Sequence, residues 1–249
     1  MERGLYSISD QEVNVLYYEI HITTLIKQSS HHLEIPERIG AWIGRAGLKD
    51  EALKQTHYDK DYKHYTFGAP FPREKEGMYK QGRVYVITIR SSIELTLRRI
   101  SAALQALQED EYFQFIAASP VQSKKLTHIT ELTTVTPAIV TIEGKPWVPG
   151  LSVELLLQRI HANAEKKYNH LYPDQPVRLE QPFVEGIQVL NHKPIALAYK
   201  GRKLLGNKLR LLVREDEYSQ KLASVVLGSG AAEKNSILGA GFCIAKGLE

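Results

Sequence analysis

An α+β chain of two tandem ferredoxin-like (RRM-like) domains, closed by a C-terminal glycine-rich loop, is what the sequence predicts. Three observations carry this. The first half reads β-α-β-β-α-β, the split βαβ order. The second half repeats that order without repeating its residues. Gly228, Gly230, Gly239 and Gly241 form two G-x-G pairs late in the chain, between a helix pattern and a last strand pattern. The expected domains are 1–125 and 126–249, with a junction near 120–131.

The elements follow in order. Residues 12–24 are rich in β-branched and aromatic residues and read as a strand. Ile35, Ile39, Trp42, Ile43 and Ala46 recur at helical spacing, and Asp50 is placed to cap a short second helix. Residues 63–72 are extended and stopped by Gly68, Pro70 and Pro72. Strand 82–90 leads into helix 91–107, with Ser91 or Ser92 as cap and Ile93, Leu97, Ile100 and Leu104 as its stripe. Residues 111–121 give a further strand.

In the second half, 132–143 is strand-like with a break or edge at Pro137. Residues 152–172 form a strong helix from a Ser152 cap, its apolar stripe fading into a polar end. Two strand candidates follow, joined by the basic "GRKLLG". Helix 215–227 turns Tyr218, Leu222, Val225 and Val226 inward, and "GFCIA" is the last strand.

Composition, at 43% hydrophobic and 24% charged, is that of a globular protein. No run of 18 apolar residues exists, so no membrane helix is expected. The first residues lack the apolar core of a signal peptide. The one cysteine, Cys243, excludes an intrachain disulfide framework and a cysteine-only zinc site. A cytoplasmic protein without membrane contact fits these features.

The net charge of +4 is unevenly spread. Residues 186–214 contain no acid, yet hold Lys193, Lys200, Arg202, Lys203, Lys208, Arg210 and Arg214. Such a concentration suits phosphate binding, because each neutralised phosphate releases condensed counterions. A solvated basic hairpin is the alternative reading.

The glycine segment is not a dinucleotide fingerprint, which needs its glycines between a strand and a helix opening. It is not a P-loop either, since Lys234-Asn235 lacks the preceding glycine and the following helix. Two readings stay open: a packing turn, or a loop whose backbone N–H groups face an anion, with Lys234, Asn235 and Ser236 as further donors.

Nine histidines are present, without an H-x-x-x-H or H-E-x-x-H pair, so no metal site is expected. His57 lies among Tyr58, Lys60, Tyr62, Lys63 and Tyr65. Imidazole, ammonium and phenol together suit RNA cleavage by its own 2′-hydroxyl: one group moves the proton and a cation steadies the phosphorane. A loop histidine without a role is the competing reading.

Read together, "GSGAAEKNSILGAGFC" resembles the glycine-rich signature of the RAMP superfamily, and most closely the CRISPR repeat-processing endoribonucleases of the Cas-six family. Gly228, Gly230, Lys234, Asn235, Ser236, Gly239 and Gly241 fall on its pattern. Ala231-Ala232 and Ile237-Leu238 lengthen it. The N-terminal half resembles the same family, with His57 at the catalytic histidine and Lys63 at the lysine six residues on. Some members carry a catalytic tyrosine one helix earlier, where this chain has Trp42. Tyr58 or Tyr62 then substitutes, or the enzyme runs on His57 and Lys63.

The resemblance implies cofactor-free, metal-independent cleavage of CRISPR precursor RNA within repeats, leaving a 2′,3′-cyclic phosphate and a 5′-hydroxyl. It implies CRISPR repeat RNA as partner, held in a basic cleft between the domains, with Arg90, Arg98 and Arg99 contributing from the first. A monomer or homodimer, alone or beside other CRISPR effector subunits, fits. The alternative is a non-catalytic RAMP-type subunit that binds repeat RNA. A general RNA-binding protein of paired RRM-like domains is disfavoured, because no RNP-type run is present.

Overall fold

The structure, a computed structural model, describes residues 15–58 and 62–248, with Val15, His57 and Leu248 by backbone alone. The first three residues of the expected strand at 12–24, and Lys60, lie outside the described residues.

The first half begins with β1 (Val15–Ile26), β2 (Ser30–His31), α1 (Ile35–Gly47) and α2 (Glu51–Tyr58). It continues through β3 (Tyr65–Phe67), β4 (Met78–Tyr79), β5 (Val84–Ser91), α3 (Glu94–Leu107), β6 (Phe113–Ala118) and β7 (Gln122–Leu126). Its antiparallel sheet runs β3-β5-β1-β6, with β7 also on β1. The second half holds β8 (His128–Thr134), β9 (Thr141–Ile142), β10 (Lys145–Pro146), α4 (Val153–Leu171) and β11 (Val184–Val189). Then come β12 (Ile195–Tyr199), β13 (Arg202–Gly206), β14 (Leu209–Val213), α5 (Glu217–Ser229), α6 (Asn235–Leu238) and β15 (Cys243–Leu248). Its antiparallel sheet runs β11-β14-β8-β15. Numbering only the four principal strands of each half, both sheets read 2-3-1-4. This is the ferredoxin-like order, twice.

Periodicity explains the two cores. In β5 the alternate residues Tyr85, Ile87 and Ile89 are buried, as a half-covered strand requires. They meet Ile35, Ile39, Trp42 and Ile43 of α1 and Leu97, Ile100 and Leu104 of α3. The second core joins Leu209, Leu211 and Val213 of β14 to Leu156 and Ile160 of α4 and Leu222 and Val226 of α5. Asp50 caps α2, accepting from Leu53 N at 2.9 Å, and Ser152 caps α4, accepting from Leu155 N at 3.2 Å.

Four expectations are corrected. The helix expected from Ser91 or Ser92 starts at Glu94, and its N-cap residue, Ile93, makes no side-chain cap. The serines are used elsewhere: Ser91 Oγ donates to His64 O (2.7 Å), and Ser92 Oγ meets Ser229 Oγ of α5 (2.8 Å). Tyr218 points outward, 50% exposed, because α5 turns Leu222 and Val226 to the core instead. "GRKLLG" is not a linker, since most of it is β13, paired with β12 in a hairpin. The glycine segment is not all loop, since α6 forms inside it.

The halves are tied together by the second wrapping the first. The β12–β13 hairpin reaches α1: Ala198 N donates to Leu33 O (3.0 Å) and Lys200 N to a Glu37 carboxylate oxygen (2.6 Å). Arg90 bonds Glu19 (2.6 Å) and Cys243 O (2.5 Å), its guanidinium over the rings of Tyr17 and Phe242. Segment α6 packs on α1 and β3 so closely that a Cβ on Gly40 would lie 1.8 Å from Ile237 O. Gly40→Ala is therefore expected to cost about 1–3 kcal/mol through overpacking. Gly44, one turn later with open space around it, is expected to gain roughly 0.5–1 kcal/mol as Gly44→Ala. Thermal melts of the two variants should move in opposite directions.

Candidate functional site

A cleft of about 420 Å³ lies where the halves meet. Residues 62–65 form one wall, α4 presents Arg159, Asn163 and Lys166, and residues 232–237 close the third side. Its carboxylate, Glu233, is occupied: Arg159 approaches it at 3.7 Å, and Thr141 Oγ1 donates to it at 2.8 Å. Lys63, Lys166 and Lys234 leave the cleft positive. Burial holds the Lys63 ammonium below the ordinary lysine value.

The third side is built around Lys167. Its ammonium is fully buried and donates to Gly230 O (2.7 Å), Ala232 O (3.0 Å) and Asn235 Oδ1 (2.7 Å). Three acceptors match three N–H groups, and they favour the charge. Burial works against it and pushes the group down to about 7, only partly offset by Cys243 and Glu233. Asn235 completes the clamp, its Nδ2 donating to Ala231 O (2.9 Å) and Ala240 O (2.7 Å).

The glycines follow from this clamp. A Cβ on Gly239 would meet Phe67 O at 2.2 Å, and one on Gly241 would meet Ala231 O at 2.0 Å; both have positive φ. Gly228 abuts Ser92, and Gly230 abuts Asn235. All four are buried, and the protein's own atoms take the space that a Cβ would need. Asn235 is likewise consumed by the clamp. Ser236 and the exposed Lys234 do line the cleft.

His64 stands on the opposite wall in a left-handed conformation (φ 49°). Its carbonyl accepts from Ser91 Oγ (2.7 Å) and Ser92 N (3.2 Å). Its Nε2 lies 2.8 Å from Nδ1 of His170, at the end of α4, while its buried Nδ1 has no hydrogen-bond partner. Burial first, then His170 and Lys167, push its pKa down to about 3. It is therefore neutral near pH 7. Tyr62 lies beside both histidines, at ring-centroid distances of 6.0 and 5.7 Å.

Of the expected catalytic residues, Lys63 is the one that lines this cleft. An adjoining lobe of about 300 Å³ is bordered by Thr56 of α2 together with Lys63, His64 and His170. His57 is the next residue of that helix, its side chain outside the described residues. Tyr58 is 62% exposed. Trp42 is in the core, its ring 5.0 Å from that of Phe113.

The basic segment is only partly brought to the cleft. Lys200, Arg202 and Lys203 are exposed at the hairpin tip, and Lys193 in the loop before it. Lys200 and Lys234 share the ring of Tyr199 (5.5 and 5.8 Å), linking hairpin to cleft rim. Lys208 lines a different cleft. Arg90, Arg98 and Arg99 do not line the main cleft: Arg90 is tied between the halves, Arg98 pairs with Glu94 and Arg99 with Asp50.

Sequence reading missed Arg159, Asn163, Lys166 and Lys167. The signal for Lys167 was its place in the buried stripe of α4 after Leu156, Ile160 and Ala164. Among the described residues, no group of three metal-ligating side chains occurs and no helix is long and apolar enough to cross a membrane.

His64 makes stability depend on pH. Its folded value lies below its ordinary 6.5, so the unfolded chain binds the proton more readily. Its contribution is complete above about pH 6.5 and is lost as pH falls toward about 3. His64→Gln is expected to flatten the fall of Tm between pH 7 and pH 4. An unchanged slope would show that His64 is not held neutral by burial.

No protein-family model matches the sequence, and no curated protein does. Solved structures do. One described as a Cas6-related gene product of Pyrococcus furiosus is 19% identical over 92% of this chain and 98% of its own, at TM-score 0.71. A RAMP protein binding different RNA substrates is 18% identical over 92% of this chain and 99% of its own, at TM-score 0.70. A Cas6 product complex is 11% identical over 92% of this chain and 100% of its own, at TM-score 0.58. The chain has the tandem ferredoxin-like fold of these Cas6 and RAMP structures.

Proposed function

We propose that the chain cleaves CRISPR precursor RNA within its repeats, without a metal, by attack of a 2′-hydroxyl on the adjacent phosphorus. The products are a 2′,3′-cyclic phosphate and a 5′-hydroxyl. The observation that carries this reading is the lysine-lined cleft between the halves, beside the α2 turn that holds His57, in a fold shared with a Cas6 product complex.

His57 moves the proton, the role to which a histidine imidazole is suited. Lys63 supplies positive charge to the phosphorane, in a half-buried position where a cation is worth more than in water. Tyr58, on the same turn of α2, is the phenol nearest His57 in the chain. His64 is a poor substitute for His57, because a group with a pKa of about 3 accepts a proton too weakly. Its role is to hold the wall of the cleft together with His170. Lys193, Lys200, Arg202 and Lys203 engage the RNA backbone outside the cleft, and Lys234 and Ser236 engage it at the rim.

The second reading is a subunit that binds repeat RNA without cutting it. Trp42 favours it: the position where some members carry a catalytic tyrosine is here an indole buried against Phe113.

Incubation of repeat RNA from a CRISPR array of the source genome, with EDTA present, separates the two. Cleavage is expected. His57→Ala should lower it by about 10²–10⁴-fold and leave binding intact. A 2′-deoxy nucleotide before the scissile phosphate should block it. Tight binding without product from the unmodified RNA would establish the second reading instead.

A further inference from the structure

The cleavage proposed above needs two proton transfers. The 2′-hydroxyl loses a proton as it attacks, and the departing 5′-oxygen gains one. His57 accounts for one of them. The lobe beside the main cleft, of about 300 Å³, holds a group for the other.

Three segments form this lobe. Leu53 and Thr56 belong to α2, Lys63 and His64 to the chain before β3, and His170 to the last turn of α4. The lobe is therefore completed across the seam, since α4 comes from the second half. His170 is exposed, with the ring of Tyr62 edge-on to it at 5.7 Å.

His170 is held through one nitrogen. Its Nδ1 lies 2.8 Å from Nε2 of His64, and the two ring centroids are 5.0 Å apart. Burial first, then the charges of His170 and Lys167, push the His64 pKa down to about 3, so His64 stays neutral. A neutral His64 accepts at Nε2 whenever His170 is protonated, because both nitrogens of an imidazolium are donors. The proton on Nε2 of His170 is then the one that can be given away. His64 is kept in this place at a cost. Its backbone is left-handed (φ 49°), and its buried Nδ1 has no hydrogen-bond partner among the described residues. Such unfavourable features gather where a side chain is fixed for function rather than for stability.

We propose that His170 is the general acid of the cleavage and that His64 positions it. The inference rests on the cleavage reading above. In the step, the 2′-oxygen forms a bond to phosphorus and its proton passes to His57. The bond from phosphorus to the 5′-oxygen breaks, and that oxygen takes the proton from Nε2 of His170. His170 is left neutral and still donates Nδ1–H to His64. Exchange with water then returns His57 and His170 to their starting states. Lys63, which lines the lobe and the main cleft alike, stands beside the phosphorane.

The test compares ordinary repeat RNA with the same RNA carrying sulfur in place of the bridging 5′-oxygen at the mapped scissile position. A thiolate leaves without a proton, because a thiol is far more acidic than an alcohol. His170→Ala is expected to lower cleavage of ordinary RNA by about 10²–10⁴-fold and to cut the sulfur-bridged RNA at about the rate of the unaltered protein. His64→Ala should lose less on ordinary RNA and recover in the same way. His57→Ala should stay slow on both, because the 2′-hydroxyl still has to lose its proton. Melts and RNA binding of each variant confirm that fold and affinity are retained. Undiminished cleavage of ordinary RNA by His170→Ala, or an equal loss on both substrates, would overturn this proposal and leave the cleavage reading standing. Failure of the unaltered protein to cut either RNA would overturn both.

Discussion

The buried ammonium of Lys167 is the interaction on which the rest of this structure depends. A cation with no water around it is tolerable only where acceptors surround it. Here they come from Gly230, Ala232 and Asn235, three positions of one chain segment. The Lys167 amino group thus gathers that segment around itself, and Asn235 closes the ring by bonding Ala231 and Ala240. The result is a rigid knot at the end of α5. It continues into α6, which packs against α1 and β3 of the other half and borders both clefts. The glycines are a consequence. Once the knot is wedged between two packed bodies, there is no room for a Cβ at Gly239 or Gly241.

The fold was largely legible because it rests on periodicity. The stripes of α1 and α3 and the alternation in β5 record which face is buried, and the order of elements then leaves few topologies. What the pattern could not carry were contacts between distant segments. Ser91 and Ser92 are good local caps, but His64 and Ser229, distant in sequence, take their hydroxyls. The glycine segment posed the same difficulty. Freedom to bind an anion and freedom to pack tightly look identical in sequence, and the tight approach of Phe67 and Ala231 to Gly239 and Gly241 has no local signature. Lys167 was hidden because a lysine in a polar-looking helix end reads as solvated. Its spacing from Ile160 and Ala164 was the clue.

The two clefts differ in the chemistry they offer. The first pairs lysines with neutral, tightly held histidine, and the reactive positions of the proposed cleavage sit on its α2 side. His64 illustrates how burial divides roles among similar residues: the same burial that keeps it neutral makes it a structural partner of His170 rather than a proton carrier. The second cleft pairs the cations Arg73, Lys75 and Lys208 with apolar surface from Leu33, Pro137, Leu197 and Leu238. One four-residue helix borders both.

The most direct test of this account places a photoreactive 4-thiouridine at the scissile position of a 2′-deoxy-blocked repeat RNA and maps the crosslinked peptides by mass spectrometry. The account predicts crosslinks within residues 51–67 and 232–237, on both sides of the first cleft. Crosslinks confined to the outer faces of α3 or α5, with none in those segments, would contradict it.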